Sequence, residues 1–271
     1  MRKPYCKASV SVFLFLVLLT PAIFAHDTWL IPDRFIIAKE ATVTLDLTSG
    51  MVFPVLETAI KPERIDRAKC RLSNHSFDVR TFAPAPKSLR FKAKLYEPGI
   101  ATFWVELQPK SLELTPKLVR EYLDEIGASE TIRQQWANAK KTKRWREVYS
   151  KHAKTFIKVG DTLSDRSWAE PVGMALEIVP DKEPTTLKVG DDFPVRLLKN
   201  GTPVPDFPVG IVREGSAKGQ IQKTDTQGQV TFRLTKSGRW LLRSTELRQS
   251  NQANVEWESN FTTLTIHVTE K

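Results

Sequence analysis

The sequence predicts a mainly β protein of two sandwich domains, the first of which carries a helical insertion. Short segments alternate apolar and polar residues, as residues 89–95 and 230–234 do, which is typical of half-buried strands. Turn residues separate these segments at regular intervals, and Asn200-Gly201 is a strong hairpin signal. Between about 115 and 156 the apolar residues recur at helical spacing instead.

The first domain is predicted to span residues 26–162, with its helical insertion at about 115–156. Strands are expected from Thr28 to Leu47, as a pair within 65–79, and over 89–95 and 100–107. Thr115 suits the N-cap of the first inserted helix, and Ser129 begins a second. A third helix is predicted from about Lys143, and its apolar stripe contains Trp145, Val148, Tyr149, His152 and Phe156. It passes into residues 155–159, which could rejoin a sheet.

The second domain is predicted to span residues 172–271, after a polar linker at 163–171. About seven short strands with regular turns fit into these hundred residues. That number and spacing of strands are typical of an immunoglobulin-like β-sandwich. Both domains are therefore expected to be immunoglobulin-like.

Residues 1–25 have the pattern of a cleavable signal peptide, with a basic start and an apolar run from Val10 to Leu19. Cleavage is expected before His26, with cleavage before Ile23 as the alternative. The protein is therefore expected in the periplasm or outside the cell, with no membrane span after cleavage. The chain has two cysteines, and because Cys6 leaves with the signal, Cys70 has no internal disulfide partner.

The formal net charge of the whole chain is +10, and its densest basic run is 140–144. We interpret that run as a solvated surface, and an exported chain has no nucleic acid to meet. Neither a nucleophile elbow, a zinc-protease helix nor a glycine-rich phosphate loop occurs in the sequence. The sequence therefore predicts a protein that is not an enzyme.

Cleavage before His26 would create a residue with both a free amine and an imidazole. These two nitrogens can chelate one divalent ion, in a geometry that suits Ni(II) or Cu(II). The predicted metal ligands are His26, with Asp27 beside it and His75 or His152 as a further ligand. A second nearby histidine would also permit an oxidative copper site. The alternative is that His26 only starts an edge strand, that His152 is a core residue and that His75 is exposed.

Several motifs resemble those of the DUF4198 family across essentially the whole chain after the signal. The opening His26-Asp27-Thr28-Trp29-Leu30 is similar, as are Arg146-Glu147 with Tyr149, the strand 238–243 and Trp257-Glu258-Ser259. The resemblance implies an exported, non-catalytic β protein, related to the NikM-type periplasmic component of nickel/cobalt uptake systems. One departure is that Ser244-Thr245-Glu246-Leu247 stands where relatives often carry a histidine.

Two functions follow as hypotheses. The first is a metal-binding or uptake-accessory protein that holds one nickel, cobalt or copper ion and works with a membrane metal-transport component. The second is an envelope interaction module that binds a protein or a glycan through its sandwich or its helical insertion. Loss of metal binding after His26→Ala would distinguish the first from the second.

Overall fold

The computed structural model describes residues 26–139, 144–161, 165–216 and 218–271. The predicted signal peptide and most of the basic run 140–144 lie outside these residues. In the first half the strands are β1 (Asp27–Pro32), β2 (Ile36–Ile37), β3 (Thr42–Gly50), β4 (Thr58–Ala59), β5 (Ile65–Leu72), β6 (His75–Asp78), β7 (Phe82–Ala85), β8 (Ser88–Lys94), β9 (Gly99–Leu107), β10 (Lys110–Leu114) and β11 (Trp145–Val159). Helices α1 (Pro116–Glu125) and α2 (Glu130–Asn138) lie between β10 and β11.

In the second half the strands are β12 (Leu176–Pro180), β13 (Asp192–Lys199), β14 (Thr202–Pro203), β15 (Pro208–Arg213), β16 (Gln220–Lys223), β17 (Gln229–Arg233), β18 (Gly238–Gln249) and β19 (Trp257–Val268). Strand β13 pairs with β12, β14 and β17, while β15, β16, β18 and β19 form the facing layer. Apolar residues of both layers, such as Phe193, Val195, Leu264 and Ile266, share one core. The second half is therefore a β-sandwich, which confirms the mainly β prediction for these residues.

The first half is also a sandwich. A five-stranded sheet has the order β1-β3-β8-β7, with β4 on β3, and it faces β5, β9 and β11. Leu45 and Leu47 of β3 are fully buried against Phe103 of β9 and Ile157 of β11, since alternate residues of each strand point to this core.

One continuous sheet joins the two halves. Its order is β16-β15-β18-β19-β11-β9-β5-β6, and β11 lies parallel to β19 from Glu147 to Thr155. The facing layers of the two sandwiches therefore belong to a single ten-stranded sheet that also includes β2 and β10. A buried ion pair, Lys154 of β11 with Glu177 of β12 at 2.6 Å, also connects the two halves.

The prediction of a third helix from Lys143 is wrong, because residues 145–159 form β11. The apolar residues of this segment fit a helical stripe, but they fit a two-residue period as well. Long-range partners decide between the two patterns, since β9, β10 and β19 all hydrogen-bond to β11. Helix α2 therefore ends at Asn138, and the residues up to Phe156 that were expected to be helical lie in β11 instead.

The first two predicted helices are confirmed with their caps. The side chain of Thr115 accepts a hydrogen bond from the amide of Leu118, and Ser129 does the same for Ile132. Gly127 follows α1 with a φ of 62°, a left-handed conformation that favours glycine. In the part of the chain that the structure describes, no helix is long and apolar enough to cross a bilayer. Cys70 is buried and forms no disulfide bond with any other described residue.

Candidate ligand-binding cleft

A cleft of about 550 Å³ lies where β4, β10, α1 and β11 meet beside the start of β1. Its walls are more apolar than polar, and they include the side chains of Ile60, Leu112, Leu114, Tyr122, Tyr149 and Phe261. A more open depression of about 670 Å³ lies between α2 and residues 249–257. The cleft is the more enclosed of the two, so it is the stronger candidate site.

Lys151 of β11 lines the cleft and is only 9% exposed. Its Nζ donates a hydrogen bond to the carbonyl oxygen of His26 and lies 5.4 and 5.3 Å from the ring centroids of Tyr149 and Phe261. Among the described residues no carboxylate lies within 4 Å of this nitrogen. A buried ammonium without an acidic partner is costly, and this one is therefore unusual.

Burial lowers the pKa of Lys151 to about 8, below the usual range of a lysine. The more distant carboxylates of Asp27, Glu125 and Glu147 oppose this shift, while the guanidinium of Arg64 adds to it. The ammonium form still predominates at pH 7, so the cleft carries a positive charge at its inner wall.

Arg64 brings a second cation to the same place. Its Nη2 donates to the carbonyl oxygen of Gln108 at 2.7 Å, and its guanidinium carbon lies 5.8 Å from the Tyr149 ring centroid. The Nε of Arg64 is buried and has no hydrogen-bond partner among the described residues. Lys61 and Lys110 also line the cleft, and Glu63 is the one carboxylate in its described lining. The cleft is therefore strongly cationic.

A buried carboxylate holds the helical wall in place. Glu147 is 1% exposed and accepts hydrogen bonds from Tyr122 Oη at 3.0 Å, from Trp145 Nε1 at 2.7 Å and from the hydroxyl of Ser259. Burial raises the pKa of Glu147. Because Tyr122 belongs to α1, these bonds fix that helix on the sheet. The stacked rings of Trp145 and Trp257, 4.5 Å apart, support the same wall.

Of the predicted metal ligands, His26 lies in the cleft wall. It immediately precedes β1, which is an edge strand of the five-stranded sheet. The carboxylate of Asp27 does not line the cleft; it pairs with Arg243 of β18 instead. Asp27 and His26 are adjacent in the chain, but only His26 lies in the cleft wall.

His152 follows Lys151 in β11, so it points to the opposite face of the sheet. It is 5% exposed, and burial lowers its pKa to about 4. Glu106 Oε2 is 3.9 Å from its Nδ1, and neither ring nitrogen has a hydrogen-bond partner among the described residues. His152 is thus a neutral core residue that the sheet separates from the cleft.

His75 lies exposed in β6, at the far edge of the ten-stranded sheet. The intervening strands β9 and β5 place it three strand spacings, roughly 14 Å, from β11, and six residues, roughly 20 Å, along the sheet from Lys151. The structure therefore brings neither His75 nor His152 to His26. In the described part of the chain, no group of three or more metal-ligating side chains occurs.

Sequence reasoning missed Lys151 and Arg64. A signal for Lys151 was present, because two-residue alternation places it between Tyr149 and Ala153 on the buried face of a strand. The helical interpretation of this segment hid that pattern. Arg64 carried no comparable signal, since its position depends on the short 3₁₀ turn Pro62–Arg64 and on the distant Gln108.

The fold and the cleft define a β-sandwich protein with an enclosed, cationic candidate site. The chain belongs to the DUF4198 family, a domain of unknown function whose model matches residues 23–246. No curated protein matches the chain.

Among solved structures, the chain is similar to the D0-D1 domain of intimin, with 15% identity over 88% of this chain and 97% of that one, at a TM-score of 0.21. The adhesin InvE of Yersinia pseudotuberculosis is 13% identical over 88% of this chain and 58% of its own, at a TM-score of 0.25. Overlap at these TM-scores carries no conclusion about function.

Proposed function

We propose that the protein is an exported, non-catalytic binding protein and that the cleft is its ligand site. It differs from the interaction-module hypothesis, which expected a protein or a glycan, because the ligand proposed here is a small molecule; the helical segment supplies one wall through Tyr122. The size supports the proposal, because small-molecule sites measure about 300–1,000 Å³ and combine apolar walls with a few polar groups. The observation that carries it is Lys151, a buried ammonium that lines the cleft and has no acidic partner within 4 Å among the described residues.

A substitution that fills the cleft tests this proposal. Ala59 of β4 is a small residue in the cleft wall, and Ala59→Trp would occupy part of its volume. In a ligand-observed NMR screen of a small-molecule library, the compounds that bind the wild-type protein are expected to lose binding to Ala59→Trp. The matched control is Ala83→Trp, at an exposed position of β7. Binders that Ala59→Trp leaves unaffected would contradict the proposal.

Metal binding at His26 is the second candidate function. It is favoured by one observation, that His26 lies in the cleft wall with its carbonyl oxygen held by Lys151. Signal cleavage before His26 would then present an amine and an imidazole to the cleft. These two nitrogens would suit Ni(II) or Cu(II), and cobalt is added only by the family resemblance. The cations Arg64 and Lys151 oppose a bare divalent ion, which makes this the weaker candidate.

Native mass spectrometry of the exported protein with one equivalent of Ni(II) or Cu(II) tests the metal candidate. It predicts a chain that begins at His26 and retains one ion, and loss of that ion in His26→Ala. His75→Ala is the matched control, since His75 lies far from His26. A chain that begins at Ile23, or equal metal retention by both variants, would remove this candidate. A relationship to the NikM-type component and a membrane transport partner both depend on metal binding at His26.

A further inference from the structure

We propose that the ligand of the cleft is a small organic carboxylate with an apolar or aromatic body, whose carboxylate serves as the counter-ion of Lys151. This inference rests on the proposed function, that the cleft is the ligand site. It adds the chemical class of the ligand.

The described residues leave part of the hydrogen-bonding capacity of the Lys151 ammonium unfilled. This ammonium has three N–H donors, and the one acceptor that the structure gives it is the carbonyl oxygen of His26. The rings of Tyr149 and Phe261 add a weaker attraction for the cation. None of these partners carries a negative charge, so an anion in the cleft would meet an ammonium that still needs compensation.

Arg64 brings a second cation to the ring of Tyr149. Its guanidinium carbon and the Nζ of Lys151 both lie within 6 Å of the centroid of the Tyr149 ring. The Nε of Arg64 is buried and unpartnered among the described residues. A guanidinium can bind the two oxygens of a carboxylate, while an ammonium acts as a point charge. The two cations therefore lie at the same aromatic ring, where either can bind the carboxylate of a ligand in the cleft.

Apart from its charged residues, the cleft wall is largely apolar. Ile60, Leu112, Leu114 and Phe261 offer no charge to a ligand, and burying an apolar ligand body against them is favourable. A cation would be repelled by Lys151 and Arg64, and a neutral ligand would leave both charges uncompensated. A carboxylate that carries an apolar body fits both halves of the site.

Three fluorinated probes of similar shape and different charge test the inference by ¹⁹F NMR on the exported protein. They are the anion 4-fluorobenzoate, the neutral 4-fluorobenzamide and the cation 4-fluorobenzylamine. We expect 4-fluorobenzoate to bind about tenfold or more tightly than the amide, since a charge-assisted bond in a desolvated site is worth at least about 1.4 kcal/mol. The benzylamine is expected not to bind.

The variant Lys151→Met should weaken 4-fluorobenzoate binding by about tenfold and leave the amide within about twofold. Arg64→Gln should act in the same direction, which keeps the test valid if one variant folds poorly. The control Lys223→Met removes an exposed lysine of β16 and should change neither affinity. Equal binding of benzoate and amide, or no effect of either cleft variant, would overturn the carboxylate inference alone. Binding of the probes that survives Ala59→Trp would instead overturn the proposed function.

Discussion

Glu177→Ala is expected to lower the free energy of unfolding by about 3–5 kcal/mol, because it would leave the ammonium of Lys154 buried without its partner. The side chains of Lys154 and Glu177 are 1% and 2% exposed, and Nζ and Oε1 lie 2.6 Å apart. Glu177 also accepts hydrogen bonds from the amides of Val172 at 2.9 Å and Gly173 at 3.0 Å. Urea unfolding followed by tryptophan fluorescence measures the change.

Two further variants identify the cause of this loss. The double variant Lys154→Met/Glu177→Leu removes both charges together, so it should recover most of the free energy of unfolding that Glu177→Ala loses. The remaining loss should come from the amides of Val172 and Gly173, which are left without an acceptor. Lys223→Ala breaks the exposed pair with Asp206 and should cost less than about 1 kcal/mol. A Glu177→Ala variant within 1 kcal/mol of the wild-type protein would contradict the importance of this pair at the junction of β11 with β12.

Lys151→Met is expected to have the opposite effect, a gain of about 2–3 kcal/mol in the free energy of unfolding at pH 7. A lysine pKa of about 8 in the folded chain, against ~10.4 in the unfolded chain, means that folding penalises the ammonium by about 3 kcal/mol. Loss of the hydrogen bond to His26 offsets about 1 kcal/mol of the gain. Urea unfolding of both proteins at pH 7 gives the difference.

The lowered pKa of Lys151 also makes the free energy of unfolding depend on pH. Above a pH of about 8 the folded chain has released the Lys151 proton, whereas the unfolded chain retains it up to ~10.4. This lysine's contribution to stability should therefore rise with pH across that window, and the rise should be absent in Lys151→Met. The contrasting control is Lys154→Met, which should destabilise because it leaves Glu177 unpaired. Destabilisation by Lys151→Met would show that this lysine has a structural role instead.

Local signals explain what the sequence predicted correctly. The caps of α1 and α2 depend on Thr115 and Ser129 and on amides three residues away. The turn at Asn200-Gly201 needs positive φ at both residues, 49° and 80°, which this residue pair accepts readily. The strands of the second half alternate cleanly because one face of each strand packs against a single core.

Long-range pairing explains what the sequence could not predict. Whether residues 145–159 form a helix or a strand is decided by β9, β10 and β19, which are distant in the chain. The same pairing joins the two sandwiches through one sheet. It also places Lys151 and Arg64 at one ring, that of Tyr149, and turns His152 away from the cleft. Predicting the candidate site therefore required the topology, whereas His26 was singled out from its position after the predicted signal peptide.

The most direct test of a buried, uncompensated cation in the cleft is the pKa of Lys151 in the purified protein, measured by NMR titration of ¹³C-labelled lysine side chains. Lys151→Met would assign the resonance. We predict titration near 8 for the protein alone, because the ammonium is buried without a carboxylate, and a shift to higher pH when 4-fluorobenzoate is added. Titration at the ordinary lysine value, with no response to the probe, would contradict a buried, uncompensated cation in the cleft.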